Sequence, residues 1–278
     1  MKNILYALLC IGLVSSCKSN TKQVSKDSTI TTSLSTASQA LISKFKPIIQ
    51  GVWVKSNYIN KVIKTKSPAA AEDEAIGITV MYINTSKIKG DSLVVNAGYG
   101  NHEGGDAILK FKPGKSPGAI VFNGGDLNYS IENGDTILIA HLRDDDTKKI
   151  KTIRYVKALN NEPDDNLGLG MDYLINKNLV AGNYVMTDSL GNNTKVTLSA
   201  LGKVTGLSGF DTFWISDDIG GEPMNNLDGF TFNLYKKTAK DYTFKIVADT
   251  LILYDTKANV DSTEDVLDKM RYKLVRVK

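Results

Sequence analysis

Apolar and polar residues alternate with a period of two through much of this chain, most clearly towards its end. Phe230, Phe232 and Leu234 fall on one side of the alternation, with Thr231, Asn233 and Tyr235 on the other. Tyr242, Phe244 and Ile246 alternate with Thr243 and Lys245, and Val196 and Leu198 with Thr197 and Ser199. Successive side chains of a strand leave opposite faces of its sheet, so the pattern predicts half-buried strands. Asn133-Gly134, Gly191-Asn192, Gly220-Gly221 and Asp228-Gly229 punctuate them. The Asn-Gly and Asp-Gly pairs suit hairpin turns, which need positive φ. Helical periodicity is scarce. Ser38 is placed to cap a short helix over Gln39–Phe45 that stops near Pro47, and a similar short element precedes Gly182.

Three landmarks occur twice in the same order. Leu41-Ile42 precedes Gln50-Gly51-Val52-Trp53, and Leu174-Ile175 precedes Ala181-Gly182-Asn183-Tyr184. Tyr129-Ser130-Ile131 with Asp135-Thr136-Ile137-Leu138-Ile139 is echoed by Tyr242-Thr243-Phe244 with Asp249-Thr250-Leu251-Ile252-Leu253. Arg154-Tyr155 is echoed by Arg271-Tyr272. Ordered recurrence of this kind reads as a duplication. Its halves are residues 39–160 and 178–278, joined by a linker at 161–177 that opens with Asn, Pro, Asp and Gly. Each half has the length of one up-and-down barrel of about eight short strands, in which closure removes exposed edges. A β-sandwich accommodates the same short, even strands.

The beginning of the chain has a different character. Lys2 is followed by the apolar run Ile4–Val14 and by Ser15-Ser16-Cys17. Eleven apolar residues are too few to span a bilayer, which takes about twenty. A basic start, a short apolar run and a small-residue cleavage point make a secretory signal. With Cys at that point, the segment resembles a bacterial lipoprotein signal peptide. The resemblance implies removal of residues 1–16 and lipidation of Cys17. It further implies residence on the periplasmic side of an outer membrane. Residues 17–38, rich in Ser, Thr, Lys and Gln, bury too little apolar surface to order themselves and read as a flexible tether.

Removing the signal leaves 262 residues, enough for one large or two small domains. It also discards Cys10, so that Cys17 becomes the sole thiol of the mature chain and neither a disulfide nor a Cys metal site is available to it. The full chain carries a formal charge of +4, almost all of its basic side being Lys. A balance so close to neutral does not argue for nucleic acid, which favours Arg-rich patches.

Gly51-Val52-Trp53 on a first strand with Arg154 on a last one resembles the lipocalin signature, in which Gly-x-Trp enters the barrel base and an Arg packs across the indole. In the second half Tyr184 stands in place of Trp, after Gly182, with Arg271 as the late cation. The resemblance therefore implies an all-β chain: two tandem antiparallel lipocalin-like barrels after a lipoprotein signal peptide and tether. Gly51, Trp53, Arg154, Gly182, Tyr184 and Arg271 would close the barrel bases.

No catalytic constellation shows. The two His lie apart, His102 in a Gly-rich turn and His141 in a strand, and no Gly-x-Ser-x-Gly elbow occurs. The acidic clusters Glu72–Glu74, Asp144–Asp146, Asp164-Asp165 and Asp217-Asp218 lack calcium-loop spacing. Of these Asp217-Asp218, followed by Gly220-Gly221-Glu222, comes nearest to a cation site. No cofactor and no metal is expected, and the chain reads as non-enzymatic. Two functions remain. One is a membrane-anchored binder of a small apolar or amphipathic ligand, for which Phe230, Phe232, Tyr242 and Phe244 are the inward-facing candidates. The other is a structural or interaction protein whose solid barrels contact another envelope component.

Overall fold

The computed structural model describes residues 34–144, 147–161, 166–187, 190–218 and 226–277. Cys17 and the signal segment lie outside the described residues, as do Asp145, Asp146, Asp164, Asp165, Gly220, Gly221 and Glu222. Eight strands form a first sheet: β1 (Gly51–Lys55), β2 (Ile78–Ile83), β3 (Ser92–Tyr99), β4 (Glu103–Pro113), β5 (Ile120–Phe122), β6 (Gly125–Glu132), β7 (Asp135–Arg143) and β8 (Ile150–Leu159). Each pairs antiparallel with its sequence neighbour, and β1 pairs with β8, so the sheet closes into a barrel. Asn133-Gly134 makes the β6–β7 turn with φ of 53° and 90°, the positive values expected of that pair.

The barrel interior is filled. Trp53, Met81, Val95, Leu109, Phe111, Phe122, Leu138 and Tyr155 project into it and are fully buried. One mouth is covered by α1 (Thr36–Ile49), whose Phe45 and Ile49 enter the same core. Ser35, rather than Ser38, caps this helix by accepting from the Ser38 backbone N–H at 3.1 Å. The helix thus starts inside the expected tether and carries Pro47 within its last turn.

The remaining strands form a second antiparallel sheet: β9 (Gly182–Thr187), β10 (Asn193–Leu198), β11 (Val204–Thr205), β12 (Phe213–Ile215), β13 (Gly229–Phe232), β14 (Lys240–Val247), β15 (Thr250–Ala258) and β16 (Asp265–Arg276). Its order is β11-β10-β9-β16-β15-β14-β13-β12. The end strands β11 and β12 are consecutive in sequence, and the bridge Lys203↔Thr212 lies between them. The hydrogen bonds Val204 N–H to Asp211 O and Phe213 N–H to Gly202 O flank that bridge.

Two further helices occupy the seam between the sheets. The first, α2 (Ser56–Thr65), buries Tyr58, Ile59 and Val62, one helical stripe. The second, α3 (Leu169–Leu179), falls inside the expected linker and buries Met171, Leu174, Ile175 and Leu179. Both pack on the outward side of β1 and β2 through Val52, Val54, Val80 and Tyr82. The same apolar cluster continues into the second sheet through Tyr184, Val196, Phe213, Phe230, Phe232 and Phe244. Asp228, expected in a hairpin turn with Gly229, instead accepts from Ser67 Oγ and Ala69 N–H, each at 2.9 Å. A short carboxylate that satisfies two donors across the seam holds that loop open, where a two-residue turn would leave both unpaired.

Candidate functional site

Trp53 lies directly opposite Lys157 in the β1–β8 ladder. Its Nε1–H donates to Ile49 O at 2.8 Å, and the Lys157 ammonium stands 4.8 Å from the ring centroid while donating to Ile48 O. The second sheet repeats the arrangement. Tyr184 lies directly opposite Arg276 in the β9–β16 ladder, and its hydroxyl donates to Val180 O at 2.6 Å. The Arg276 guanidinium covers the Tyr184 ring at 5.1 Å and donates to Ala181 O, Leu179 O and the Tyr184 hydroxyl. In both places a first-strand aromatic captures the carbonyl four residues before it, and a last-strand cation covers the ring.

These cations are not the expected ones. Arg154 pairs with Glu132 at 2.5 Å and Arg271 with Asp255 at 2.5 Å, each on an exposed strand face. Both are correctly on the last strand of their sheet but are directed outward, so neither reaches an aromatic base. Gly51 and Gly182 are explained by close approach. A Cβ on Gly51 would stand 2.5 Å from Leu159 O, at φ +127°, and one on Gly182 would stand 2.7 Å from the Arg276 guanidinium.

The four ligand candidates lie in the second sheet's aromatic core. Phe230 stacks on Phe213 with centroids 5.2 Å apart, and Phe232 on Phe210 at 4.2 Å. Phe244 meets Phe230 edge-on, and Tyr242 meets Phe232 and Tyr272. Phe230, Phe232 and Phe244 are buried, Tyr242 half-buried. The rings fill the space by touching one another.

A group of carboxyls in the seam was only partly visible in the sequence, through Asp217-Asp218. Asp172 on α3 accepts from Trp214 Nε1–H of β12 at 3.1 Å. Burial raises its pKa to about 7, against the opposing effect of that hydrogen bond. Asp217 follows β12, and burial, reinforced by the charge of Asp172, pushes its carboxyl far above the usual range. In both, burial favours the neutral acid over the carboxylate. Burial likewise raises Asp228, opposed by its bonds from Ala69 and Ser67. Asn101, from the β3–β4 turn, donates to Asp217 O at 3.2 Å, and His102 Nδ1 lies 2.9 Å from Asp218 Oδ1. Tyr58 is fully buried beside these acids. Asp172 sits on the short helix expected before Gly182, in a span also read as a linker, and nothing in the sequence paired it with Asp217. Among the described residues no three His, Cys, Asp or Glu are grouped to hold a metal ion.

No family model, curated protein or solved structure matches this chain.

What the arrangement can do chemically follows from access. A general acid or base must reach a substrate within hydrogen-bond distance. Two surface depressions, of about 290 and 350 Å³, open elsewhere. The smaller lies between α2 and the β14–β15 turn, lined by Ile63, Leu179, Tyr184, Leu251 and Arg276. The larger borders Asp228, Glu72 and Lys245. Neither is lined by Asp172 or Asp217, and the Asp172–Trp214 hydrogen bond ties α3 to β12. His141, in β7, lies 3.0 Å from Thr152 Oγ1 across the ladder, a pairing within the barrel wall.

Proposed function

We propose that this chain is a lipid-anchored, non-enzymatic envelope protein of two duplicated lipocalin-like barrels that acts through its outer surface. One observation carries the reading: the first barrel and the second sheet are filled by their own side chains, including Phe230, Phe232 and Phe244. An eight-stranded barrel can be solid or can hold one small ligand, and filling supports the solid case. The matching Trp53–Lys157 and Tyr184–Arg276 devices support a duplication, and the Lys203↔Thr212 bridge supports a second closed ring. The anchor rests on the Lys2, Ile4–Val14, Cys17 pattern. An outer surface suited to a protein partner is offered by Val94 and Ile108, directly opposite one another on β3 and β4 and 49% and 40% exposed.

A second reading, capture of a small amphipathic ligand, is favoured by the depression beside Tyr184. Apolar walls from Ile63, Leu179 and Leu251 meet the cations Lys66 and Arg276 there. Native mass spectrometry of the mature protein, purified without detergent, separates the two. A bare mass, with an envelope protein cross-linked through cysteines placed at Val94 and Ile108, supports the surface reading. A stoichiometric small-molecule adduct overturns it in favour of capture.

A further inference from the structure

The end of the first barrel that α1 covers is a basic face. In an up-and-down barrel alternate connections share one end. Here β2 ends opposite the start of β1, β4 ends opposite the start of β5, and β8 ends beside Val52, which places their following loops around one mouth. The helix is tied to each of these loops. Gln50 Oε1 accepts from Thr85 N–H at 2.8 Å and Gln50 Nε2 donates to Asn160 O, while Lys44 Nζ donates to Gly118 O at 3.4 Å. Lys44 and Lys46 on α1, Lys87 and Lys89 after β2, and Lys115 after β4 are exposed there. None of the five has an ion pair among the described residues.

Among the described residues, the acids at this mouth are largely spent. Asp91 pairs with Lys112 at 3.2 Å and Glu132 with Arg154. Asp126 is buried and accepts from the backbone N–H of Lys115 and Ser116. Asp135 is the exposed acid of the β6–β7 turn, and Ile131, 68% exposed, stands beside that turn. The chain that leads back to Cys17 enters the fold at this same face, through Leu34 and Ser35 at the start of α1.

We propose that the α1-covered mouth, through Lys44, Lys46, Lys87, Lys89 and Lys115, docks on an anionic phospholipid surface and sets the orientation of the anchored protein. The proposal rests on the lipid-anchor reading, because the anchor is what confines this face near a bilayer. Each lysine held at an anionic surface contributes about a five-fold gain in partitioning, and the attraction decays over a Debye length of about 8 Å at physiological salt. One exposed Ile amid five Lys suits the headgroup layer, where apolar tips insert between charges.

The test uses the mature lipidated protein mixed with vesicles of phosphatidylcholine alone or with added phosphatidylglycerol, probed by a membrane-impermeant amine reagent. Labelling of the five lysines is compared with labelling of the exposed Lys195, Lys203 and Lys245 on the second sheet. The expected result is a several-fold loss of labelling at the five sites on the anionic vesicles alone, restored by high salt. Replacing Lys44, Lys46 and Lys115 with Glu should abolish that protection. Equal labelling on both vesicles overturns the proposal, as does protection that salt leaves unchanged. Flotation with the neutral vesicles reports the anchor separately. If it fails there, the anchor reading falls, and salt-sensitive flotation with the anionic vesicles still supports the basic face while its absence overturns it. Protection only on adding an acidic envelope protein also overturns the proposal and assigns the face to that partner.

Discussion

Trp53 is secured from three directions: its ring is wholly buried, its indole N–H is bonded to Ile49 O, and an ammonium lies over it. Truncation to Ala should therefore cost about 3–5 kcal/mol. Which cation matters is decided by comparing two alanine variants. Lys157→Ala removes a cation–π contact and a hydrogen bond, together worth about 1–2 kcal/mol. Arg154→Ala removes only an exposed pair with Glu132 and should leave the denaturant midpoint almost unmoved. The reverse order in a chemical melt would return Arg154 to the barrel base. Gly51→Ala forces a side chain against Leu159 O at positive φ and should cost about 1–3 kcal/mol. A melt matching that of the parent protein would refute that close approach. The Arg-Tyr echo misled because the geometric counterparts, Lys157 and Arg276, lie three and five residues beyond the echoed arginines. No sequence pattern distinguishes a cation reaching back over a ring from one paired outward. Gly51, Trp53, Gly182 and Tyr184 were legible because their roles depend on type and position along one strand.

Among the elements, α3 is the short helix expected before Gly182, and it reaches back into the span read as a linker. Its acidic residue faces inward to Trp214 instead of outward to water, and that position gives the protein a pH dependence. The Asp172 carboxyl titrates near 7 in the fold against 3.8 for the ordinary group. The folded state therefore binds the proton more tightly than the unfolded chain does. Stability contributed in this way is complete below about pH 4 and is lost as pH rises to about 7. Asp172→Asn keeps an acceptor for the Trp214 N–H and removes the titration. It should flatten the decline in melting temperature between pH 4 and 7 and stabilise the protein at pH 8. An unchanged slope would show that Asp172 is already ionised in the fold. Strands were readable where one face is wet, as in β10 and β14, because the period-two pattern survives there. The helix α2 was missed: Tyr58, Ile59 and Val62 make too short a stripe to separate from the strand Gly51–Lys55 that precedes it.

At the scale of the molecule, the two sheets share one apolar cluster. Val52 and Val54 turn outward from the first barrel to meet α2 and α3, and those helices continue into the core of the second sheet. A cut between residues 160 and 178 would strip α3 from Val52, where Gly170 already sits so close that a Cβ would fall 2.3 Å from a Val52 methyl. Calorimetry should accordingly show one unfolding transition. Leu174→Ala, a loss of about 2–5 kcal/mol, should lower that transition as a whole. Two resolved transitions, only one of them moved, would mean that the halves fold independently. Sequence repetition suggested two separable domains, and the shared cluster was hidden from it because both faces of β1 are apolar, one for each core.

The tryptophans fall one to each side of that seam. Trp53 is wholly buried in the first barrel and bonded to the Ile49 carbonyl, whereas Trp214 is half-buried and bonded to a group that changes charge near neutrality. The chain has only these two. Its own emission is thus a two-channel probe: a blue, pH-indifferent component from the first barrel and a component from the seam that shifts as Asp172 ionises.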